Sequence, residues 1–501
     1  MSYSDTPEQA AVIAWRGERL VVGAFAGSGK TSTLRRYAEE NPNERMLYVA
    51  YNRAIRDEAE QKFPFHVTCK TSHQLAWPTV GRYYRERLTN TLRLTDIARV
   101  LNSRNWRLAR ATLDTLNRFM CSASPELALI HAPDPEDSDG LDCVQVLQSA
   151  QRIWAHMSAR RGDFPITHDT YLKLYQLTHP NLAARYSTLL FDEAQDANPV
   201  TSALVLHQPC RVVLVGDAHQ QIYRFRGADN AMASAALLNA DRLWLTHSFR
   251  FGPEVAHVAN TLLALKGEAH KVVGNGGADR VLDRLPHTVG HHAVLHRSVC
   301  GVIGTALHYA LAKKAVFWVG GMASYKIEDL LDVYWFSIDM PERMQHERIS
   351  QAFRDYAEYQ QVAEETGDVE MKQAITILEQ FFPLPDRIAT LREMSVKEES
   401  QADVTVCTAH RSKGLEWDTV KLYDDFADIL DPLMAKDKRH DEINLMYVAA
   451  TRARKTLVID PVLSELLAQP PAQEVLTPPV NEHDDAGWVN DEGEEDHARS
   501  V

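Results

Sequence analysis

A glycine-rich segment, AFAGSGKT, ends an apolar run near the start of the chain and leads into a polar run that favours a helix. Small residues let backbone N–H groups approach phosphate oxygens, while Lys30 supplies a positive charge and the Thr31 hydroxyl a ligand for magnesium. Ala24 replaces the usual first glycine of such a loop. The residues expected to cradle the phosphates of a nucleotide are Ala26, Gly27, Ser28, Gly29, Lys30, Thr31 and Ser32.

Two carboxylates follow another apolar run, in the segment LLFDEAQD. Asp192 comes at the end of the predicted strand, where it would hold magnesium together with Thr31, and Glu193 would orient and deprotonate an attacking water. An isolated Asp-Glu pair is more often an exposed acidic turn. Combined with the phosphate-binding segment, this pair predicts hydrolysis of a nucleoside triphosphate.

Phosphoryl transfer also needs positive charge from outside the phosphate loop, and two arginines in the second half follow hydrophobic runs. They are Arg250 in LTHSFRFG and Arg452 in YVAATRARK. An arginine supplied across a domain interface accelerates hydrolysis by about 10³ to 10⁵, which makes the reaction depend on domain closure. Taken alone, either arginine would more often form a surface salt bridge.

The segment VLVGDAHQQIYRFRGA lies between the two halves and mixes aromatic with basic residues. Gln220 or Gln221 is a candidate sensor of the γ-phosphate. Tyr223 and Phe225, interleaved with arginines such as Arg226, have the composition that stacks bases and holds phosphates of a single strand, where stacking contributes about 1–3 kcal/mol per base. Buried core aromatics are the alternative interpretation, and composition does not choose between the two.

Strand and helix patterns alternate in two separate parts of the chain, and this alternation predicts parallel sheets. Helical patterns such as RLTDIARVLNSRNWRLARATLDTLNRFM interrupt the first part, and a shorter helical stretch interrupts the second. The predicted fold class is α/β, with two sheet domains that each carry a mostly helical insertion. The predicted units are 1–75 with 178–243, the insertion 76–177, 244–324 with 398–467, the insertion 325–397, and a disordered acidic tail over 468–501.

The 501 residues carry a formal charge of −14, and eight acidic residues between Glu482 and Asp496 supply more than half of it. The rest is only mildly acidic, so a local basic groove for a polyanion is compatible with the composition. No apolar run approaches the roughly 18 residues of a membrane span, and the first residues lack signal-peptide features. We therefore expect a cytoplasmic protein without a membrane partner. The six scattered cysteines include no CxxC pair, which predicts no zinc centre.

Two further patterns each allow a structural and a functional interpretation. Arg104, Arg107 and Arg110 recur at helical spacing in the first insertion, as either a duplex-contacting face or a solvated helix face. Four histidines fall between residues 287 and 296, but their spacing matches no common zinc pattern and no cysteine or carboxylate joins them. We expect no metal there.

The segments follow one another in the order TPEQ, AFAGSGKT, LYVAYNRAI, CKTSHQLAW, FDEAQD, VGDAHQQIYRFRGA, LTHSFRFG, VCTAHRSKGLEWDTV and NLMYVAATRARK. In this order, and up to about Leu467, the chain resembles the UvrD/Rep-like helicases of superfamily 1. The GDAHQQIYRFRGA and SFRFG segments and the short second insertion are similar to the helicase portion of the eukaryotic F-box DNA helicases. The resemblance implies two RecA-like P-loop motor domains.

The resemblance also implies residue roles. Gln9 would recognise adenine, Phe249 would stack on the base, Glu416 would touch the ribose, and Gln221 would relay the nucleotide state to the strand. The implied catalytic set is Lys30, Asp192, Glu193, Gln221, Arg250 and Arg452. The implied ATP contacts beyond the loop are Gln9, Phe249, Arg250, Glu416 and Arg452, with magnesium at Thr31 and Asp192. The implied DNA contacts are Asn52, His73, Tyr223, Phe225, Arg226 and His410.

Such enzymes use ATP and Mg²⁺ to move 3′ to 5′ along one DNA strand, so the resemblance implies a helicase or single-strand translocase in DNA repair or recombination. Its expected partners are single-stranded DNA and single/double-strand junctions, and it would act as a monomer or within a complex, in a bacterium associated with the nucleoid. An alternative is a nucleic-acid-stimulated ATPase component of a larger assembly such as a phage-defence system. An RNA helicase is disfavoured by the IYRFRGA and KGLEWD segments.

Overall fold

The computed structural model describes residues 5–134 and 140–468. The acidic tail that the sequence predicts over 468–501 lies outside these residues from 469 onward, and the side chain of Arg226 also lies outside the description. The described chain forms two large parallel sheets with helices around them and one short two-stranded ribbon. The α/β class with two sheet domains, predicted from the alternating patterns, is therefore confirmed.

The first sheet is wholly parallel, and its strands are β1 (Arg19–Ala24), β2 (Met46–Ala50), β3 (Val67–Thr71), β4 (Thr188–Phe191), β5 (Arg211–Gly216) and β6 (Asp241–Leu245). Their spatial order is β3-β2-β4-β5-β1-β6. All residues of β2 and β4 are buried, as expected for strands covered by helices on both faces. The phosphate-binding segment follows β1 and the carboxylate pair follows β4. These strands lie on either side of β5, so their carboxyl ends bring the two segments to the same edge of the sheet.

A ribbon of β7 (His247–Ser248) and β8 (Val273–Gly274) connects to the second sheet. That sheet contains β9 (Arg280–Leu282), β10 (His292–His296), β11 (Val316–Trp318), β12 (Ser395–Val396), β13 (Val404–Thr408), β14 (Trp417–Leu422) and β15 (Ala453–Val458). These strands are parallel in the order β12-β11-β13-β10-β14-β15-β9. The predicted boundary at 397 places the residues of β12 in the second insertion, but they pair with β11 and belong to the sheet.

Helices cover both sheets and build both insertions. Around the first sheet and within its insertion are α1 (Pro7–Ala14), α2 (Lys30–Glu39), α3 (Arg53–Lys62), α4 (Ser72–Ala76), α5 (Leu94–Leu101), α6 (Trp106–Cys121), α7 (Cys143–Ser158), α8 (His168–Gln176) and α9 (Pro199–Leu206). The second half contains α10 (Pro253–Ala264), α11 (Val299–Leu311), α12 (Ile327–Ser337), α13 (Arg348–Ala352), α14 (Tyr356–Thr366), α15 (Val369–Gln380), α16 (Leu384–Met394), α17 (Lys436–Ala450) and α18 (Pro461–Ala468). The first insertion follows β3 and the second follows β11, so each leaves a sheet at the carboxyl end of a strand.

The two insertions contact each other. Trp106 of α6 stacks on Phe353 with ring centroids 5.6 Å apart, and both side chains are buried. Arg110 pairs with Asp368 over 3.2 Å. Arg104, for which the sequence allows two interpretations, lies 4.0 Å from a carboxylate oxygen of Glu358. Two arginines of the predicted basic helix face therefore point at the second insertion.

The loop after β5 packs closely on the first insertion. Gly227 has a φ of 78°, and a β-carbon there would lie 2.7 Å from the β-carbon of Cys121. A left-handed conformation costs a non-glycine residue roughly 1–2 kcal/mol. Gly227→Ala should lower the free energy of unfolding by this amount and by a further increment from the collision with Cys121.

Gly267→Ala is the matched control, because Gly267 has a φ of 74° but nothing lies within 4 Å of its added β-carbon. Urea-induced unfolding of both variants measures the difference. Equal destabilisation by the two substitutions would contradict the close contact between the loop and the first insertion.

Candidate functional site

The phosphate-binding segment forms a tight loop between β1 and α2. Gly27 and Gly29 have φ of 74° and 78°, a left-handed conformation that suits glycine. The loop ends at the first turn of α2, where free backbone N–H groups and the helix dipole favour an anion. The hydroxyl of Ser28 is buried there without a hydrogen-bond partner in the described structure. An unsatisfied donor in this place fits a phosphate oxygen.

Thr31 and Asp192, the predicted magnesium ligands, are in contact. The Thr31 hydroxyl donates to Oδ2 of Asp192 over 2.7 Å, and Tyr48 donates to the same oxygen over 2.6 Å. Burial and the neighbouring charge of Glu193 raise the pKa of Asp192, which a divalent cation would lower again. No group of three or more His, Cys, Asp and Glu within residues 5–134 and 140–468 could hold a metal ion. Magnesium here would complete its shell with nucleotide oxygens and water.

Glu193 lies beside the phosphate loop in a strained backbone conformation. Its φ is 52°, which a residue with a long side chain rarely adopts outside functional sites. Lys30 Nζ lies 3.7 Å from Oε1, and the Gln195 amide donates to Oε2 over 2.5 Å. Burial alone would raise the pKa of Glu193, but Lys30 and Lys413 outweigh it and lower the pKa to about 2. The carboxylate is therefore ionised and able to accept a proton or a hydrogen bond from water.

Arg250 and Glu416, both from the second half of the predicted site, are paired. Arg250 Nε donates to Glu416 Oε2 over 2.7 Å, and its Nη1 donates to the Thr451 carbonyl over 3.1 Å. A β-carbon at Gly27 would lie 2.8 Å from the β-carbon of Arg250. The β-carbon of Arg250 therefore packs against the phosphate loop at Gly27, while its guanidinium group is hydrogen-bonded to Glu416.

Arg452 is buried inside the second domain near the same place. Its guanidinium donates to the carbonyl oxygens of Val448 and Leu415 and to the Thr451 hydroxyl. Within the described residues it forms no ion pair with a carboxylate, and burial together with the charge of Arg250 lowers its pKa to about 9. A buried cation without an anion is unfavourable, so the surroundings of Arg452 fit an anionic ligand.

Gln9 and Phe249 flank the phosphate loop on the side expected to receive adenine. A β-carbon at Gly29 would lie 3.1 Å from Nε2 of Gln9 and 4.0 Å from the ring of Phe249. The backbone N–H of Thr6 donates to Oε1 of Gln9, so the amide group is held in one orientation at the start of α1. Phe249 is 39% exposed, so part of its side chain is accessible to a ligand.

Gln195, Lys413 and Tyr447 reach the site although sequence reasoning did not select them. Oε1 of Gln195 accepts from the backbone N–H of Asp217 over 3.0 Å, while its amide donates to Glu193. Gln195 therefore joins the segments after β4 and β5. The sequence signal for Gln195 was its position in the AQD segment, directly after the predicted catalytic pair.

Lys413, which follows β13, extends from the second domain into the catalytic site. Nζ forms an ion pair with Asp196, donates to the Gln220 carbonyl over 2.7 Å and lies 3.9 Å from Glu193. It also lies 5.6 Å from the ring centroid of Tyr223. Burial raises the pKa of Asp196 to about 6 even though Lys413 lowers it. One lysine thus lies near both a predicted catalytic carboxylate and a predicted strand-binding ring. The SKGLEW segment, which contains Lys413, was the signal available in the sequence.

Tyr447 of α17 makes the second link between the domains. Its hydroxyl accepts from the backbone N–H of Ala26 over 3.1 Å and donates to Oδ2 of Asp217 over 3.2 Å. Tyr447 is fully buried, and burial with the charge of Asp217 raises its pKa well above the ordinary value. The phosphate loop is therefore hydrogen-bonded directly to a helix of the second domain.

The two glutamines after Asp217 have different surroundings. The buried Gln220 amide donates to Oδ2 of Asp217 over 2.7 Å. The backbone carbonyl of Gln221 accepts from Asn444 of α17 over 2.9 Å. The hydrogen bonds around the catalytic site thus include the Gln220 side chain and the Gln221 main chain. The predicted role of the Gln221 side chain as a nucleotide sensor stays a prediction.

Four rings meet at the carboxyl ends of the two sheets, and we call them the aromatic platform: Tyr51, Tyr223, Phe225 and His410. Tyr223 stacks on Tyr51 with centroids 5.5 Å apart, and Phe225 meets His410 edge to face at 5.5 Å. The Tyr223 hydroxyl donates to the His410 carbonyl over 3.1 Å. Phe225 is 69% exposed, so the alternative of buried core aromatics is wrong for this ring. The sequence analysis did not predict Tyr51 as part of a strand-binding surface, although this residue ends the LYVAY segment.

The other predicted DNA contacts lie apart from these ring contacts. The Asn52 side chain accepts from Ile55 N over 2.9 Å and caps α3. His73 lies 3.5 Å from Asp169 of the first insertion. The side chain of Arg226 lies outside the described residues. Roles of these three residues at a strand stay predictions.

Comparison with known families accounts for this arrangement. The N-terminal domain model of UvrD/REP helicases matches residues 142–237, and the C-terminal domain model of UvrD-like helicases matches residues 313–462. The two models match the segments that carry Asp192 and Glu193 in one half and Lys413 and Arg452 in the other.

The chain belongs to the UvrD-like helicases. Its two sheets are the RecA-like motor domains of this family, as the sequence predicted.

Relatives include eukaryotic F-box helicases, as the sequence motifs had indicated. F-box DNA helicase 1 of Gallus gallus is 33% identical over 501 aligned residues, which cover 90% of this chain and 48% of the relative. F-box DNA helicase protein 1 of Schizosaccharomyces pombe is 32% identical over 498 residues, covering 90% and 56%. This UvrD-like chain therefore spans about half the length of the two F-box relatives.

In the part of the chain that the structure describes, no helix combines the length and apolar character needed to cross a membrane.

Removing the Tyr447 hydroxyl should weaken the docking of the second motor domain on the phosphate loop. Tyr447→Phe leaves the Ala26 N–H without its buried partner, and an unsatisfied buried group costs about 1–3 kcal/mol, whereas Oδ2 of Asp217 keeps its hydrogen bond from the Gln220 amide. We expect a lower free energy of unfolding, measured by urea titration. Tyr83→Phe is the control, since Tyr83 is exposed and its hydroxyl contacts Arg82 at the surface. Equal stability of wild type and Tyr447→Phe would contradict the proposed docking contact.

Proposed function

We propose that this UvrD-like helicase hydrolyses ATP with Mg²⁺ and uses the energy to move along single-stranded DNA, unwinding duplex or displacing bound protein. The observation that carries this proposal is the position of Lys413, which contacts the carboxylates of the hydrolytic site and the aromatic platform at once. Because one side chain contacts both the hydrolytic site and the strand-binding surface, binding at either place can change the affinity at the other.

Hydrolysis follows from the residues around the phosphate loop. Lys30 and the α2 N-terminus would hold the β- and γ-phosphates, and Thr31 and Asp192 would hold the magnesium that neutralises developing charge. Glu193 would orient the attacking water and take its proton. Lys30 Nζ lies 3.7 Å from Oε1 of Glu193 and lowers the pKa of that carboxyl. When the phosphates attract Lys30, that pKa rises and Glu193 becomes a better base.

Arg250 and Arg452 would supply the charge that completes the site. Arg250 pairs with Glu416, so a γ-phosphate would compete with that carboxylate. Arg452 has no such competitor among the described residues, and its burial makes an incoming anion favourable. Closure of the second domain on ATP would bring both guanidinium groups to the γ-phosphate, with Gln221 reporting its presence. Hydrolysis removes that anion and favours reopening.

The strand would lie on the aromatic platform. Phe225 offers an exposed ring, and stacking on such rings tolerates any base sequence. The names of both F-box relatives describe DNA helicases, which supports DNA over RNA as the substrate. By resemblance to the family, we propose 3′ to 5′ movement, action at single/double-strand junctions in repair or recombination, and a cytoplasmic or nucleoid location.

Steady-state ATP turnover with different nucleic acids tests the proposal. We expect single-stranded DNA to stimulate turnover far more than duplex DNA or single-stranded RNA, with Glu193→Gln as the inactive blank. Stimulation by none of them would contradict the translocase and favour an ATPase that a partner protein controls within a larger assembly. Greater stimulation by RNA would indicate an RNA helicase.

Phe225→Ala refines the same measurement, because loss of one stacking contact should raise the concentration of single-stranded DNA needed for half-maximal stimulation by about 5-fold to 150-fold. Phe65→Ala is the matched control, since Phe65 is 99% exposed and remote in sequence from the platform. An equal response of the two variants would remove Phe225 from the strand-binding surface.

A further inference from the structure

Tyr48 lies in the middle of β2, where its side chain combines an apolar ring with a polar hydroxyl. All five residues of β2 are buried, and the Tyr48 ring packs on Phe63 with ring centroids 4.7 Å apart. Phenylalanine would fill the same apolar space, so packing alone does not account for the hydroxyl. A buried hydroxyl is unfavourable unless it is hydrogen-bonded, and the Tyr48 hydroxyl donates to Oδ2 of Asp192 over 2.6 Å. The hydroxyl of Tyr48 is therefore directed at a predicted magnesium ligand.

The strands that carry Tyr48 and Asp192 are paired, so the sheet fixes the contact between the two side chains. Tyr48 lies opposite Leu190 in the parallel register of β2 and β4. The backbone N–H of Asp192 also donates to the Val49 carbonyl over 3.4 Å, which extends the pairing beyond the end of β4. Asp192 itself is only 1% exposed. The tyrosine hydroxyl and the carboxylate thus have little freedom to move relative to each other.

The hydrogen bonds of the Asp192 carboxylate leave little of it available to a cation. An ionised carboxylate has about four lone-pair sites, shared equally between its two oxygens. Oδ2 accepts from both the Thr31 and the Tyr48 hydroxyl groups, and Oδ1 accepts from the backbone N–H of Glu193 over 2.9 Å. Within residues 5–134 and 140–468, no further donor forms a hydrogen bond with this carboxylate. One lone pair, on Oδ1, remains for a metal ion or for a water bound to it.

We infer that Tyr48 is a positioning residue that restricts Asp192 to a single contact with a divalent cation and so favours Mg²⁺ over Ca²⁺. This inference rests on the proposed binding of ATP with Mg²⁺ beside Thr31 and Asp192. Mg²⁺ requires a regular octahedral shell and keeps several waters, so one carboxylate contact is sufficient for it. Ca²⁺ is larger, takes roughly six to eight oxygens and can use both oxygens of one carboxylate. The two donors on Oδ2 oppose that second contact.

Tyr48 can be altered without removing a metal ligand. Thr31 also donates to Oδ2, but its hydroxyl oxygen is itself a predicted ligand, so its loss would affect any cation directly. Tyr48 contributes no ligand in this arrangement, and Tyr48→Phe keeps the ring that packs on Phe63. The substitution frees one lone pair of Oδ2, which lets Asp192 bind Ca²⁺ through both oxygens. The variant should therefore change the preference between the two cations rather than remove binding.

Competition against Mn²⁺ measures that preference without ATP turnover. The protein is mixed with a non-hydrolysable ATP analogue kept below the protein concentration, and free Mn²⁺ is followed by electron paramagnetic resonance while Mg²⁺ or Ca²⁺ displaces the bound ion. The result is the ratio of the Ca²⁺ and Mg²⁺ dissociation constants in wild type, Tyr48→Phe and Tyr84→Phe. Tyr84 is the matched control, because it is also buried and its hydroxyl donates to the Ser158 carbonyl over 2.7 Å, within the first insertion.

A hydrogen bond to a charged group is strong enough to change an equilibrium constant by roughly 10-fold or more. We expect the ratio to fall by about that factor in Tyr48→Phe, through tighter binding of Ca²⁺, and to stay unchanged in Tyr84→Phe. An unchanged ratio in Tyr48→Phe, or an equal change in both variants, would overturn the role of Tyr48. If the wild type binds no Mn²⁺ with the analogue, the proposed nucleotide site itself is wrong and the inference fails with it.

A fluorine label tests the contact with the hydroxyl in place. Fluorotyrosine replaces Tyr48, and its fluorine NMR resonance is recorded with the analogue before and after Mg²⁺ is added. A cation bound at Asp192 changes the electrostatic surroundings of the ring, so the resonance should shift, while the same label in place of Tyr84 should not respond. Absence of a shift from the label at Tyr48, in protein that binds Mg²⁺, would also overturn the inference.

Discussion

The ion pair between Lys413 and Asp196 is the interaction on which the active arrangement depends. Asp192, Glu193 and Asp196 place three acidic groups in one poorly solvated region of the first motor domain, where their charges repel one another. Lys30 alone cannot balance them. The second domain supplies the missing positive charge through Lys413, with the buried Arg452 acting on Glu193 from further away. Because burial makes unpaired charge unfavourable, the charged form of these carboxylates is favoured by the second domain in place.

Neutral hydrogen bonds reinforce the same dependence. Tyr447 of the second domain satisfies a backbone N–H of the phosphate loop and an oxygen of Asp217, and Gln195 connects Asp217 to Glu193. These hydrogen bonds connect the phosphate loop and Glu193 to the second domain. The same lysine that balances the carboxylates lies 5.6 Å from the ring centroid of Tyr223, so the platform and the proposed hydrolytic site share one cation.

Local motifs predicted the fold, and they also selected residues of the proposed nucleotide site that lie together in the structure, because both depend on residues adjacent in the chain. The glycine loop needs particular φ angles, and Asp192 follows directly from the buried strand TLLF. Residues that act across the interface were harder to find. Lys413, Tyr447 and Gln195 come from segments that the sequence had marked, but their partners are set by tertiary packing. Arg104 and Arg110 show the opposite case, because both face the second insertion, a partner that the basic helix pattern does not reveal, although the Arg104 side chain stays 75% exposed to solvent.

The most direct test of coupling through Lys413 is to measure the affinity for single-stranded DNA with and without a non-hydrolysable ATP analogue, and the affinity for the analogue with and without DNA. In the wild type each ligand should change the affinity for the other by the same factor. Lys413→Met should bring that factor close to one. Lys455→Met, at an exposed lysine paired with Asp418, should leave it unchanged. An undiminished factor in Lys413→Met would show that the domains communicate without this lysine.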